Sequence, residues 1–169
     1  MRIKKIAVIG ICASGKSVFG RELAKRTGLP LFHMDNLFWR GKWEAVPEEE
    51  YLRKEQELLR NDEWIIEGYV DEKEAERLKF ADLILYLDYS GVRVFWRTIR
   101  RWLKHRRVAR PELHKEAFDS ISIRDLWVAL MRLERPAIEA ALRKVDQSKV
   151  VRFHSPGELK KFVDTKNWS

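Results

Sequence analysis

Cysteine is almost missing: Cys12 is the single one among 169 residues. One thiol excludes an intramolecular disulfide and a cysteine-built zinc site. No apolar run approaches the roughly 18 residues of a membrane-spanning helix. Internal repeats, low-complexity tracts and a linker that would split the chain are missing too. The basic start, Met1-Arg2-Ile3-Lys4-Lys5, runs into an apolar stretch that belongs to a buried strand, so it does not read as a secretory signal. These absences predict a cytoplasmic protein, with no membrane partner and one domain over 1–169. A chain of this size buries about 70% of its unfolded surface and needs no staples.

Acid is scarce in one place. Between Gly91 and Lys115 stand nine basic residues: Arg93, Arg97, Arg100, Arg101, Lys104, Arg106, Arg107, Arg110 and Lys115. Glu112 is the only acid among them, so this segment's surplus of eight equals the net charge of +8 of the whole chain. Such a run repels itself unless an anion is present, and it implies a polyanionic partner: nucleotide phosphates or a nucleic-acid backbone.

What the sequence does have begins at Gly10-Ile11-Cys12-Ala13-Ser14-Gly15-Lys16-Ser17. The pattern G-x-x-x-x-G-K-[ST] is the phosphate-binding loop. The β-branched run Ile6 to Ile9 precedes it as a buried strand, and Val18 to Arg26 follows as a helix. The order matters physically. The strand delivers the chain to a tight loop whose N–H groups face an anion, and the helix adds its N-terminal partial positive charge. Lys16 is expected to reach the β- and γ-phosphates of ATP, and the Ser17 hydroxyl to ligate Mg²⁺. The nucleotide-binding set is thus Gly10 through Ser17 with Val18. Cys12 reads as a small apolar filler of the loop.

Downstream, apolar runs alternate with helical patterns. Strands are predicted at Lys4–Ile9, Leu31–Met34, Trp64–Ile66, Leu83–Leu87 and Lys149–Phe153. Helices are predicted at Gly15–Thr27, Pro47–Arg60, Asp71–Lys79, Ser90 or Gly91 to His105, Ile123–Lys144 with a break near Pro136, and Pro156–Val163. Asn36–Gly41 reads as a turn or short helix, and Val108–Asp119 as a mobile loop. Alternation of this kind means an α/β fold with a mostly parallel sheet and right-handed crossovers.

Ligands of open α/β sheets bind beyond the carboxyl ends of the strands, and here those ends carry polar residues. Glu67 is the candidate to hold a Mg²⁺-bound water or to activate an attacking group. Asp35 would orient or deprotonate the acceptor; its bland alternative is a helix cap. Asp88 reads as a cap before the basic helix. Arg97, Arg100, Arg101 and Arg107 are candidates for neutralising transferring phosphate charge, since the planar guanidinium binds phosphate oxygens bidentately. Arg93, Arg97, Arg100/Arg101 and Lys104 recur at helical spacing and share a face. Arg132 and Arg135 could fold over the same phosphates or lie on a surface. Trp39 and Trp43 fit an acceptor pocket or ordinary packing. His33 and His154 lack a second ligand at metal spacing and read as structural.

These residues together resemble the P-loop kinases of the adenylate kinase type, and most closely the DNA topology modulation (FlaR-related) group. The resemblance is carried by the loop, by Thr27-Gly28-Leu29-Pro30 leading to Asp35, by Trp39 with Trp43, and by Trp64-Ile65-Ile66-Glu67-Gly68. Ala81-Asp82 leading into Leu87-Asp88, the arginine helix and Phe153-His154-Ser155 complete it. It implies a three-layer α/β/α P-loop NTPase sandwich with five parallel strands in the order 2-3-1-4-5. It also implies an acceptor-binding helical region at about 36–60, a lid at about 104–120, and a base-contacting loop near His154 to Gly157, with His154 and Ser155 at the nucleotide. Ala13 stands where relatives usually have glycine and Glu67 where they have aspartate. Tyr69 replaces a common asparagine, and Val70-Asp71 stand where nucleoside monophosphate kinases carry an arginine. The function implied is transfer of the γ-phosphoryl group of Mg-ATP to a small-molecule or nucleotide acceptor. The alternative is a DNA-binding or regulatory ATPase that uses the 91–115 segment.

Overall fold

The protein was analysed as a computed structural model that describes residues 3–40, 43–107, 120–166 and 168. The chain opens with β1 (Lys5–Gly10) and α1 (Lys16–Thr27), followed by β2 (Leu31–His33) and the five-residue α2 (Met34–Phe38). A two-stranded ribbon, β3 (Trp39–Arg40) with β4 (Glu44–Ala45), precedes α3 (Glu48–Leu59) and β5 (Trp64–Gly68). Then come α4 (Glu76–Phe80), β6 (Leu83–Leu87), α5 (Gly91–His105), α6 (Ile123–Met131) and α7 (Arg135–Leu142). A 3-10 turn at Gln147–Lys149 leads to β7 (Val150–Phe153) and α8 (Pro156–Thr165).

Five strands pair in parallel in the order β2-β5-β1-β6-β7. Counted among the sheet strands alone, that is 2-3-1-4-5. The central strands are apolar throughout because helices cover both faces of a parallel sheet. Ile6, Ala7, Val8 and Ile9 are wholly buried, as are Trp64, Ile65 and Ile66. Each such aliphatic side chain contributes about 1.5–3 kcal/mol of burial. Register sets the site. Val8 lies opposite Glu67, His33 lies opposite Glu67 from the other side, and Gly10 lies opposite Leu87. The loop, Glu67 and Asp88 therefore rise from one edge of the sheet.

Three expectations change. The helix expected from Asp71 begins only at Glu76, because the Asp71 carboxylate accepts from the N–H groups of Lys73 and Glu74 (2.8 and 3.2 Å) and holds 71–74 as a turn. The break expected near Pro136 in the helix from Ile123 is present, and its place is Arg132, which leaves two helices. Arg132 closes α6 in the left-handed region (φ 55°), and Pro136 opens α7. Proline has no N–H and its ring strikes the carbonyl four residues upstream, so the break falls at Arg132. The β3–β4 ribbon was not expected; two residues per strand carry no readable alternation. The expected lid lies mostly at 108–119, outside the described residues. Among the described residues no helix is long and apolar enough to cross a membrane.

Two close contacts fix the helical layers. Gly91 opens α5 where a Cβ would collide with the Leu130 carbonyl oxygen, so the start of α5 is seated directly on the end of α6. Arg77 of α4 is completely buried. It donates to Glu55 (2.5 Å), Glu74 (2.9 Å) and the Tyr69 carbonyl, and so ties α3 to the segment after β5. Removing it leaves Glu55 as an uncompensated buried charge. Arg77→Met should cost about 3–5 kcal/mol in urea unfolding. Adding Glu55→Gln should recover part of that loss, since the stranded charge is gone.

Candidate active site

The loop forms as its sequence requires. Gly15, with φ 98°, precedes α1, and a Cβ there would collide with the Arg97 guanidinium. The glycine thus serves two needs: a left-handed backbone and room for an arginine above the loop. Ala13 takes φ 58° without being glycine. Lys16 Nζ folds back on the loop, donating to the carbonyls of Gly10 (2.9 Å) and Ile11 (3.1 Å). The Ser14 side chain is buried within it.

Glu67 ends β5 as a buried carboxylate. His33 Nδ1 lies 2.6 Å from its Oε1, and the Ser17 hydroxyl donates to it. Burial opposes its charge, but the hydrogen bond from His33, the nearby Lys16 charge and the Ser17 hydrogen bond together hold it below the usual carboxylate range. Hydroxyl and carboxylate oxygens side by side suit a hard divalent cation, which takes few protein ligands and completes its shell from phosphate and water. Ser17 and Glu67 thus fit Mg²⁺. His33, read from sequence as structural, turns out to hold Glu67. The signal was its place at the end of β2, one strand over.

A cavity of about 1520 Å³ opens above this edge. Its phosphate half is lined by Cys12, Ala13, Gly15, Lys16, Ser17 and Val18, and by Arg93, Arg97, Arg100, Arg101 and Lys104 of α5. The arginine face expected from spacing is therefore one wall of this cavity. Arg97 also lies over the Tyr89 ring at 5.5 Å, and Arg101 donates to the Cys12 sulfur at 3.2 Å. The other half is lined by Met34, Asp35, Phe38, Trp39, Trp43, Tyr51, Tyr69 and Glu74. Asp35 sits in the first turn of α2.

Other expected residues fall elsewhere. Arg107 follows the end of α5, is exposed and is not among the lining residues. Asp88 caps nothing. It is buried under Arg132, Arg135 (3.1 Å) and Arg152 (2.9 Å), so Arg132 and Arg135, left between the phosphates and a surface by their sequence, are bound to it. His154 is exposed beside Asp88, with Nδ1 3.3 Å from its carbonyl oxygen, and Ser155 caps α8 by accepting from the Glu158 N–H. Of that segment only Pro156 lines the cavity.

Sequence reasoning missed Glu134. Its carboxylate accepts from the Cys12 N–H at 2.6 Å, where an anion on this loop would be held. No motif marks it, since it reaches the loop only through the α6–α7 turn.

No family model matches the sequence, and no curated protein matches it significantly. Solved structures do match. Shikimate kinase from Acinetobacter baumannii, in complex with shikimate, superposes with a TM-score of 0.61 at 16% identity, covering 97% of this chain and 95% of that one. A sugar kinase from Janibacter gives 0.55 at 16% identity, covering 95% and 93%. The chain has the fold of the P-loop kinases. At such identities the likeness is one of architecture.

Two outcomes follow. Glu134 occupies an N–H donor that a phosphate oxygen needs, so Glu134→Gln should tighten ATP binding about three- to tenfold by calorimetry. Unchanged or weaker binding would make Glu134 a support of the loop instead. The second concerns Glu74. Burial, then Glu55 and Asp71, push its carboxyl up to about 7 against the pull of Arg77. Between about pH 4.5 and 7 the folded protein keeps a proton that the unfolded chain has released, so this group's contribution to stability falls as pH rises. Glu74→Gln should therefore gain thermal stability relative to the natural chain from about pH 5 to pH 8.

Proposed function

We propose that the protein is an ATP-dependent phosphotransferase that moves the γ-phosphoryl group of Mg-ATP to a hydroxyl of a small molecule. The observation that carries this reading is the arginine helix turned onto the phosphate loop, with Arg97 against Gly15 and Arg101 against Cys12. Phosphoryl transfer asks for positioning and charge neutralisation more than for covalent chemistry, and guanidinium groups above a P-loop supply both.

In this reading the loop N–H groups and Lys16 hold the triphosphate. Ser17 and Glu67 would hold the Mg²⁺ that comes with the nucleotide, and the ion would supply charge neutralisation at the phosphates. The acceptor enters the other half of the cavity. Asp35 takes the hydroxyl proton as the oxygen forms its bond to the γ-phosphorus, and the bond to the β–γ bridging oxygen breaks as ADP leaves. Arg97, Arg100 and Arg101 meet the charge that spreads over the transferring group.

The alternative, a DNA-binding or regulatory ATPase, needs the basic residues spread along an outer surface. Five of them line the cavity, which supports the kinase reading. The finer likeness to the FlaR-related group rests on the sequence motifs alone.

The test is ADP formation from Mg-ATP with a panel of nucleosides, sugars, alcohols and monophosphates. Stimulation by at least one compound is expected, and none above background would overturn the reading. Lys16→Ala should lose the thermal stabilisation by ATP. Arg97→Ala should lower kcat about 10²-fold or more with a smaller change in ATP affinity, because its charge matters most as phosphate charge shifts.

A further inference from the structure

A glutamate carries its carboxylate at the end of a chain of rotatable bonds, and each must be fixed before the group can hold a metal ion in one place. At Glu67 a neighbour on the next strand does this. His33 Nδ1 lies 2.6 Å from Oε1, and both side chains are largely covered, with 15% and 2% of their surface exposed. Glu67 is held below the usual carboxylate range, so it is ionised at neutral pH. An ionised carboxylate only accepts, so Nδ1 carries the proton and donates it.

The backbone fixes both ends of this contact. β2 and β5 pair in parallel with His33 opposite Glu67. One residue further on, Met34 packs where a Cβ on Gly68 would collide with it. The two strand ends interlock, and the imidazole has little room to leave the carboxylate. From the loop side, the Ser17 hydroxyl and the Lys16 charge pull on the same group. Lys16 now donates to the carbonyls of Gly10 and Ile11. Without His33 the Lys16 ammonium and the Glu67 carboxylate could pair with each other, which would take one from the phosphates and the other from the metal. A carboxylate has about four acceptor positions. His33 and Ser17 use two of them, which leaves capacity for metal-bound water.

Resting on the phosphotransferase reading above, we propose that His33 is a positioning residue for the metal. It is not among the residues lining the cavity. It acts through Glu67, and the Mg²⁺ demand of nucleotide binding is set by this one imidazole. Partners one step removed from a metal ion change its affinity about 10–100-fold when they are lost.

The test is calorimetric binding of the β,γ-imido analogue of ATP to the full chain, first with a chelator and then across a Mg²⁺ series. His33→Phe should keep the affinity for the metal-free analogue within about twofold and raise the Mg²⁺ concentration for half-maximal tightening at least about tenfold. His33→Ala should shift it likewise, and His33→Asn, which keeps an N–H donor near the place of Nδ1, should recover most of the shift. Glu67→Gln should shift it at least as far, and adding His33→Phe to that variant should change little more. An unchanged Mg²⁺ demand in His33→Phe and His33→Ala would overturn the proposal. So would an equal loss of affinity without metal, or a full second loss on top of Glu67→Gln. Binding that Mg²⁺ does not tighten in the natural chain would overturn the proposal and leave nucleotide binding standing. No binding of the analogue with or without Mg²⁺ would overturn the phosphotransferase reading, and this proposal with it.

Discussion

In the loop at the end of β1 the Ser14 N–H is satisfied by the Ile11 carbonyl (3.2 Å), but the Cys12 N–H takes its partner from outside the loop. The site is arranged around that need. A helix N-terminus adds positive potential to it, and Arg97 and Arg101 add more from above. Positive potential of this kind draws an anion, and Glu134 lends one to the Cys12 N–H. Beneath, Lys16 is satisfied by the loop's own carbonyls. The loop is thus shaped before a phosphate chain arrives, which lowers the ordering cost of binding.

The two halves of the cavity follow opposite rules. On the phosphate side the cations converge from one helix. On the other, the buried Arg77 is spent on Glu55, Glu74 and the Tyr69 carbonyl and shapes the wall without offering charge to a ligand. One cavity thus carries an arginine-lined wall at the loop and aromatic rings at α2 and the β3–β4 ribbon.

Much of this was legible in the sequence, and the reasons are local. The phosphate loop, its strand and its helix follow from residue types in fixed order. So do the sheet strands, whose apolar runs need no knowledge of neighbours, and the arginine face, which follows from a period of 3.6. What escaped depends on contacts distant in sequence. His33 matters because register sets it beside Glu67. Asp88 draws Arg132 and Arg135 away from the phosphates because β6, α7 and β7 meet there. Glu134 lies 122 residues from its partner. Ladder partners and ion pairs between remote segments leave no period to read.

The seat of Gly91 on Leu130 has a mechanical meaning. The first turn of α5 cannot pivot on α6 without driving its backbone into that carbonyl. A few residues later Arg132 and Arg135 are anchored on Asp88. Glu134 therefore sits on a span of chain clamped at both ends, one clamp steric and the other ionic. When a triphosphate takes its place, the clamps leave little for the backbone to do. Eviction then asks for the swing of one side chain and no shift of the backbone.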